Sequence, residues 1–290
     1  SLRSQQSFTI GLVLADVSNP FFGAIASGVE QRLSETGYSL IYGNSDNSLE
    51  TEKALVRVLA EKRVDGLIAA PSAAIGGHLL NVAERGIKVV LVDSEIPNSG
   101  LDCISIDNRK AARIAIRHLL ELGHRRIAIV TGPLDAVFDR QRLEGYRRAL
   151  EDYGIAFDPG LVEYGEWTME AGLSAADRLL DRTPNLRAIF CGNDIIAAGA
   201  LHTAMRRGRH VPQDLALVGY DDRRFARYLY PALTSFALPL NMMGQKAAHL
   251  LIDGLLAAGE ATVPSITVPG TLSIRNSCGS LPTPGGPPSA

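Results

Sequence analysis

The sequence predicts an α/β protein of two similar lobes, each built on a parallel sheet that helices cover on both faces. Short, near-continuous apolar runs alternate with amphipathic stretches along the chain, which is typical of parallel strands buried between helices. This alternation restarts near residue 127, so the second half repeats the plan of the first. The length of 290 residues agrees with two lobes, because a single hydrophobic core stops growing near ~250–300 residues.

The first half is expected to hold five buried strands, with apolar runs at residues 8–14, 38–43, 65–69, 89–92 and 103–106. Asn19 and Pro20 predict the start of the first helix, because asparagine caps helices and proline suits the first turn. Its inward face is expected to carry apolar residues spaced by three and four, namely Phe22, Ile25, Val29 and Leu33. A second helix is expected after Asn47 or Ser48, and a third over residues 79–85.

The second half is expected to begin with a strand at residues 127–131. Further strands are predicted at 188–191 and 215–218, where apolar residues again run without interruption. Helices are predicted at 140–153, 168–181, 193–207 and 241–258, from apolar residues at helical spacing.

Composition excludes several classes of protein for this chain. Lysine and arginine total 29, aspartate and glutamate total 31, and the net charge is −2. The chain therefore lacks the excess positive charge that is typical of proteins that bind nucleic acid or anionic membranes. No apolar run approaches the ~20 residues of a membrane span, and the first residues have no signal-peptide core. Three cysteines far apart in sequence fit a reducing compartment, so we expect a cytoplasmic location.

The sequence holds no motif for a cofactor, a metal or a catalytic nucleophile. It has no glycine-rich phosphate loop of the dinucleotide-binding type or of the P-loop type. It also has no histidine or cysteine pairs at metal-ligand spacing and no nucleophile elbow. Asn44, Asp46, Ser48 and Glu50 alternate like calcium ligands, but helix capping explains them better because the loop glycine is missing. We therefore predict no enzyme activity, no catalytic residue, no metal and no cofactor.

Polar and aromatic residues follow the predicted strands, where ligands bind in open α/β sheets. Carboxylates, amides and an arginine fork exchange hydrogen bonds with vicinal hydroxyls, and flat rings cover the apolar faces of a sugar. These residues predict a small polar ligand, with sugars as the leading class. The candidate ligand-binding residues are Asp16, Asn19, Phe21, Phe22, Asp93, Asp107, Phe138, Arg142, Trp167, Asn193 and Asp221.

Each candidate also has a structural explanation. Asn19 can cap its helix, and Phe22 fits the core face of that helix, which leaves Phe21 as the better site residue of the two. Arg142 can be a solvated surface residue and Trp167 a core residue. Helix capping is the alternative for the acidic candidates Asp93, Asp107 and Asp221.

Nine short runs make the chain resemble one known family. They are IGLV at 10–13, SNPFF at 18–22, DGLI at 65–68, LGHRRIA at 122–128, GPL at 132–134, RLEGY at 142–146, FCGND at 190–194, VGYDD at 218–222 and PALTS at 231–235. In this order they resemble the effector-binding region of the LacI/GalR family of bacterial transcription regulators. The resemblance covers roughly residues 8–277.

The resemblance implies two doubly wound lobes of the periplasmic-binding-protein type, joined by three crossovers near residues 122–124, 237–240 and 268–269. The first lobe would then comprise residues 8–122 and 240–268, and the second residues 123–239 and 269–277. Residues 1–7 would be a residual linker or cloning remnant, and 278–290 a disordered tail. Where many members have a glutamine near the second crossover, this chain has Leu238 and Pro239.

The resemblance also implies partners. Family members dimerise along this region, and Phe225, Tyr228, Leu229 and Tyr230 form an apolar segment that suits an interface. Operator DNA would be bound through an N-terminal helix-turn-helix, which we expect to be absent from this chain. A sugar-like effector would bind between the lobes, close them and change the affinity for DNA.

Two other functions remain open from the sequence. A periplasmic sugar-binding protein of a transporter would share the fold, so the fold alone does not separate it from a regulator. An enzyme acting on a sugar fits the clustered carboxylates, although the sequence offers no nucleophile or metal set for it.

Overall fold

The computed structural model describes residues 6–71, 76–96, 98–134, 136–256 and 265–279. The chain divides into two compact units, which we call the first and second units. The first comprises Ser1–Ile106 and Pro239–Pro269, and the second comprises Asp107–Leu238 and Gly270–Ala290. The chain therefore passes three times from one unit to the other.

Strands and helices alternate along most of the chain. Within the described residues the strands are β1 (Thr9–Leu14), β2 (Ser39–Asn44), β3 (Gly66–Ala70), β4 (Lys88–Val92), β5 (Asp102–Ile106), β6 (Ile127–Thr131), β7 (Val162–Tyr164), β8 (Ala188–Cys191), β9 (Ala216–Asp221), β10 (Thr234–Ala237), β11 (Ser265–Val268) and β12 (Thr271–Ser273). The α-helices are α1 (Pro20–Leu33), α2 (Leu49–Glu61), α3 (Gly77–Glu84), α4 (Asn108–Glu121), α5 (Val137–Asp152), α6 (Met169–Arg182), α7 (Asp194–Arg206) and α8 (Leu240–Leu256). Short 3-10 helices span Pro159–Leu161 and Arg224–Tyr228.

The first unit holds a six-stranded sheet in the order β2-β1-β3-β4-β5-β11, with every neighbouring pair parallel. The second unit repeats this plan as β7-β6-β8-β9-β10-β12, in which only the β10–β12 pair is antiparallel. In both sheets the strand order reverses beside the first strand of the unit. Ligands of doubly wound folds bind at this switch point, at the carboxyl ends of the strands. The two parallel-sheet α/β units confirm the predicted fold class.

Local sequence explains where several helices begin. Asn19 accepts the Phe21 N–H at 3.0 Å and Pro20 occupies the first turn of α1. Ser48 caps α2 and Thr168 caps α6 in the same way. Of the four alternating residues at 44–50, Ser48 is the cap, whereas the Asn44 side chain accepts the Val17 N–H at 3.1 Å. These short polar side chains satisfy N–H groups that have no partner inside the helix.

Four strands were not predicted: β7, β10, β11 and β12. Their sequences are short or rich in hydroxyl residues, as in Thr234 and Ser235 of β10, so no apolar run marks them. Thr234 and Ser235 are nevertheless fully buried, and Ser277 and Asp194 respectively provide their hydrogen-bond partners. Such strands depend on partners distant in sequence.

The first boundary between the units differs from the expected one. It falls after Ile106, whereas residues up to 122 were assigned to the first lobe. Helix α4 belongs to the second unit because it packs closely on α5. A methyl group added at Gly145 of α5 would lie 2.3 Å from the Arg109 carbonyl oxygen of α4, and Arg113 of α4 pairs with Asp152 of α5.

The predicted ends of the chain also need correction. Ser7 was assigned to a linker, yet its N–H donates to Asp65 at 2.9 Å. Cys278 was assigned to a disordered tail, yet it is 1% exposed and its Sγ lies 3.1 Å from the Thr234 hydroxyl. Gln6 and Gly279 are the other described residues of these two predicted segments. Residues 1–5 and 280–290 lie outside the described residues.

Candidate functional site

In the second unit the predicted site residues Phe138, Arg142 and Trp167 lie together. Arg142 lies in the second turn of α5, with 4% of its surface exposed. Its guanidinium carbon lies 5.1 Å from the centre of the Phe138 ring and 4.2 Å from that of Tyr220. Cation–π attraction and burial therefore fix the fork between two aromatic rings. The predicted alternative, a solvated surface arginine, is wrong.

Asp139 holds this arrangement together, and the sequence analysis did not name it. Its Oδ1 accepts hydrogen bonds from the Thr131 hydroxyl at 2.8 Å, the Gly132 N–H at 3.0 Å and Arg142 at 3.3 Å. Its Oδ2 accepts the Trp167 indole N–H at 2.9 Å. Asp139, on α5, thus connects the end of β6 with the segment that leads into α6. The available signal was its spacing of three from Arg142, which puts both on one face of the helix.

Asn108 is a second residue that sequence reasoning missed. Its Oδ1 accepts hydrogen bonds from Arg142 Nε at 3.2 Å and from the Tyr220 hydroxyl at 2.8 Å. It is buried in the first turn of α4, directly after Asp107. No local pattern distinguishes Asn108 from a surface residue, because its partners are far away in sequence.

Trp167 is in part a core residue, which is the structural explanation considered for it, and its ring also lies beside that of Phe138. It is half-buried against the hydrophobic core of the second unit, and its ring centre lies 5.6 Å from that of Phe138. The indole N–H is held by Asp139, so the ring orientation is fixed. Two tilted aromatic faces thus stand beside the Arg142 fork, an arrangement suited to the C–H face of a sugar.

The end of β9 holds Asp221 and Asp222 in left-handed backbone conformations, with φ of 95° and 53°. The Asp222 N–H donates to the Ser235 hydroxyl at 3.0 Å, and that hydroxyl donates to Asp194 at 2.6 Å. The other oxygen of Asp194 accepts the Arg223 N–H at 2.6 Å. These hydrogen bonds hold the turn in its strained conformation. Backbone strain that is held in this way is common at functional sites. Asp221 ends its strand and is not a helix cap.

Burial controls the ionisation of these carboxyls. Burial raises the pKa of Asp194 to about 8, with Asp221 adding to the rise. Burial also raises the pKa of Asp221 to about 6, against the lowering effects of Arg223 and then Arg142. Two neighbouring acids with raised pKa values are typical of functional sites.

Asn193 and Asp107 both cap helices. Asn193 is buried and accepts the Ile196 N–H at 2.7 Å at the start of α7. Asp107 is exposed and accepts the Lys110 N–H at 2.9 Å at the start of α4. Asn193 follows β8 beside the switch point, so it keeps a place near the site. For Asp107, capping accounts for the observed contact.

In the first unit, four predicted residues follow β1 at the switch point. Asp16 accepts the Ser18 N–H at 2.9 Å and the Ser18 hydroxyl at 2.6 Å, and Asn19 caps α1. Phe22 was expected on the core face of α1 and Phe21 at the site, and the structure shows the reverse burial. Phe21 is 6% exposed and lies on the buried face of α1 with Ile25, whereas Phe22 is only partly buried. Their ring centres lie 5.0 Å apart, edge to face.

Asp93 directly follows β4 and is half-buried. Its backbone is left-handed, with φ of 53°, and its N–H donates to the Ile104 carbonyl at 2.8 Å. The strand order puts β3 between β4 and β1, so Asp93 is two strands from Asp16 at the same edge of the sheet. It is not the cap of a helix.

Comparison with known proteins identifies the family. Residues 7–275 match the family described as periplasmic binding proteins and sugar binding domain of the LacI family. The chain belongs to this family. It is the effector-binding region of a LacI-type transcriptional regulator, which confirms the resemblance found in the sequence.

Relatives of this LacI-family chain are named as regulators. The helix-turn-helix-type transcriptional regulator CelR of Thermobifida fusca is 35% identical over 271 residues, covering 91% of this chain and 79% of that protein. The helix-turn-helix-type transcriptional repressor PurR of Proteus mirabilis is 36% identical over 263 residues, covering 90% and 77%. These names favour the regulator over the transporter component and the enzyme.

Solved structures of LacI-family regulators share the fold. A complex of the transcriptional regulator CelR with cellobiose aligns with a TM-score of 0.86 and 34% identity, covering 94% of this chain and 85% of that one. The transcription regulator CcpA of Lactococcus lactis aligns with a TM-score of 0.85 and 30% identity, covering 93% and 98%. Among the described residues, no helix is long and apolar enough to cross a membrane.

Proposed function

We propose that this chain binds a small polyhydroxylated effector, a sugar or sugar derivative, and that binding changes the affinity of the regulator for operator DNA. One observation carries the proposal. A buried arginine fork lies between Phe138 and Tyr220, with the Trp167 ring and the Asp221 carboxyl nearby, at the carboxyl ends of parallel strands.

The chemistry of these groups matches a sugar. Carboxylates accept hydrogen bonds from hydroxyls, and a guanidinium donates to hydroxyl oxygens. The Phe138 and Trp167 rings present apolar faces to C–H groups. The structure of CelR is described as a complex with cellobiose, which supports a sugar as the class of effector here.

The proposal includes contacts from both units. Asp16, Asn19, Phe22 and Asp93 of the first unit join the second-unit residues in holding one effector. The buried Phe21 ring packs edge to face against the Phe22 ring and is not itself a proposed contact. The regulator acts as a cytoplasmic homodimeric repressor, and it binds operator DNA through a helix-turn-helix of the kind named in its relatives.

The tryptophan provides a direct test, because Trp167 is the only tryptophan in the chain and lies within the site. Cellobiose, common monosaccharides, sugar acids and nucleosides are titrated while Trp167 emission and the midpoint of thermal unfolding are followed. A ligand at ~100 times its Kd should stabilise the folded state by ~2.7 kcal/mol. The expected result is saturable quenching or a spectral shift with one sugar, together with a rise in the midpoint.

An Asp221→Asn variant should weaken the fluorescence response, whereas exposed Asp253→Asn on α8 should leave it unchanged. Binding by nucleosides alone would contradict a sugar effector. A ligand that stabilises the protein without changing Trp167 emission would place binding elsewhere.

A further inference from the structure

Apolar packing does not by itself set the orientation of the Trp167 ring. Trp167 lies in the connection between β7 and α6, one residue before the Thr168 cap, so it belongs to neither element. Its ring packs against the hydrophobic core of the second unit, and the ring centre lies 5.6 Å from that of Phe138 at a tilt of 40°. Apolar contacts have no preferred direction, so they leave the rotation of this ring open.

A directed contact with Asp139 settles the orientation of the ring. The indole N–H of Trp167 donates to Asp139 Oδ2 at 2.9 Å. The Asp139 carboxylate is fully buried, and its Oδ1 is held by the Thr131 hydroxyl at 2.8 Å and the Gly132 N–H at 3.0 Å. The donors on Oδ1 therefore keep Oδ2 directed at the indole. All of these groups belong to the second unit.

The backbone at Gly132 leaves room for this hydrogen bond. A methyl group added at Gly132 would clash with both the indole nitrogen of Trp167 and Oδ2 of Asp139. A side chain at residue 132 would therefore push the donor and the acceptor apart. The missing side chain is a second feature, independent of the bond itself, that fits an indole held by Asp139.

We propose that Asp139 is a positioning residue for effector specificity, which acts by setting the orientation of the Trp167 ring. The inference rests on the proposed function, in which the Trp167 and Phe138 rings cover the C–H face of a sugar. Epimeric sugars differ in the direction of one hydroxyl, and hence in which C–H groups form an apolar face. A ring held at one angle fits one such face better than another, whereas a ring that rotates adapts to both. Specificity is this difference in affinity.

The Asp139→Asn variant isolates the bond to the indole. An amide has one acceptor oxygen, and its NH2 group can only donate. With the amide oxygen in the place of Oδ1, the bonds from Thr131, Gly132 and Arg142 are kept. The NH2 group then faces the indole N–H, and two donors oppose each other. Glu151→Gln makes the same chemical change at an exposed position of α5 and is the matched control.

The first measurement needs no effector. Trp167 is the only tryptophan of the chain, so its emission reports on this ring alone. Asp139→Asn should shift the emission to longer wavelength and increase its quenching by acrylamide, because a released indole gains contact with water. Gly132→Ala should do the same, since the added methyl group displaces the ring and leaves every polar group in place. Emission that is unchanged in both variants would overturn the inference, whatever the effector is.

The second measurement is specificity. Isothermal titration calorimetry compares the sugar that binds most tightly with its C4 epimer, as in glucose with galactose or cellobiose with lactose. The ratio of the two dissociation constants should fall roughly threefold or more in Asp139→Asn and stay unchanged in Glu151→Gln. A general loss of stability would weaken the binding of both sugars equally. An unchanged ratio in Asp139→Asn would therefore overturn a role in specificity.

Trp167→Phe completes a double-mutant cycle. Phenylalanine keeps an aromatic ring but has no N–H for Asp139 to hold, so Asp139→Asn should change the ratio much less in this background. An equal change with and without Trp167 would mean that Asp139 acts through another partner, and it would overturn the inference. Absence of binding by every sugar would instead overturn the proposed function, whereas the emission of Trp167 tests the role of Asp139 independently.

Discussion

At the scale of single residues, the site depends on polar groups that lose most of their water and regain partners inside the protein. Asp139 accepts hydrogen bonds from four different donors, and Asn108 accepts two on one oxygen. Such networks are rigid because an unpaired buried group is costly. Rigidity of this kind sets the Arg142 fork in place before a ligand arrives, which reduces the ordering cost of binding.

Arg142→Ala should reduce effector affinity by tenfold or more, which is about 1.4 kcal/mol. Arg142→Lys should not restore it, because an ammonium group cannot reproduce the planar fork between Phe138 and Tyr220. Breaking the buried pair with Asp139 should also lower the free energy of unfolding, by ~3–5 kcal/mol. Fluorescence titration and urea unfolding measure the two effects.

The matched control is Arg140→Ala, an exposed arginine two residues earlier on α5. It should change neither quantity by more than about 0.5 kcal/mol. If Arg142→Ala binds the effector with unchanged Kd, Arg142 is not a ligand contact.

Asp194 predicts a pH dependence of stability. Its pKa in the folded protein, about 8, lies above its ordinary value of 3.8, so the folded state holds this proton more tightly than the unfolded state. The free energy of unfolding should therefore fall as pH rises from about 4 towards 8. Asp221, with a folded pKa of about 6, adds to the fall at the lower end of this range. Each group contributes at most about 1.4 kcal/mol per pH unit.

Urea unfolding between pH 6.5 and 8.0 measures this slope. Asp194→Asn removes one titrating group and keeps an oxygen for the Arg223 N–H, so the variant should lose stability less steeply with pH. Parallel curves for wild type and variant would contradict a raised pKa for Asp194.

At the scale of elements, helices approach one another closely at glycines. A methyl group added at Gly172 of α6 would lie 2.2 Å from the Ile196 carbonyl oxygen, and one at Gly199 of α7 would lie 2.2 Å from that of Met169. Both contacts are with backbone, which cannot move aside as a side chain can. The α6–α7 pair is therefore fixed in position by two residues without side chains.

Gly199→Ala should destabilise the protein by about 1–3 kcal/mol through overpacking. Gly23→Ala on α1 is the matched control, since a methyl group there meets nothing within 4 Å. That substitution should be neutral or stabilising by up to ~1 kcal/mol, because alanine is the better helix former. Thermal and urea unfolding of both variants would check the contrast, and equal effects would contradict the packing argument.

At the scale of the whole molecule, the apolar segment around Tyr228 predicts self-association. Tyr228 is 71% exposed and Tyr230 89% exposed, whereas Leu229 packs against the core of the second unit. Two large exposed rings on a 3-10 helix and the turn after it suit an isologous interface. Sedimentation velocity at tens of micromolar should show a dimer, and Tyr228→Ser with Tyr230→Ser should shift it towards monomer. A wild-type monomer at that concentration would contradict the prediction.

Effector binding is predicted to bring the two units into a closed arrangement. A ligand contacted by both units stabilises the closed state only to the extent that it binds the closed state more tightly than the open one. In a dimer whose DNA-binding domains must span fixed half-sites, such a change alters operator affinity. Small-angle scattering should show a smaller radius of gyration at saturation. An unchanged radius in a full-length regulator that still responds on DNA would point to altered dynamics.

The sequence alone determined the α/β class, the two-lobed plan, the helix cap at Asn19 and the family, and it narrowed the cap of α2 to Asn47 or Ser48. These features depend on neighbouring residues or on an ordered set of motifs. It also predicted that polar residues at strand ends would form a site, and in the second unit Phe138, Arg142 and Trp167 do lie together.

Only the tertiary structure decided the strand order, the unit to which α4 belongs, and the exchanged positions of Phe21 and Phe22. It alone revealed Asp139 and Asn108. The physical reason is that burial of a polar group becomes favourable only when its partner is present, and that partner is often distant. The Tyr220 hydroxyl reaches Asn108 across 112 positions of sequence, and no local pattern records such a contact.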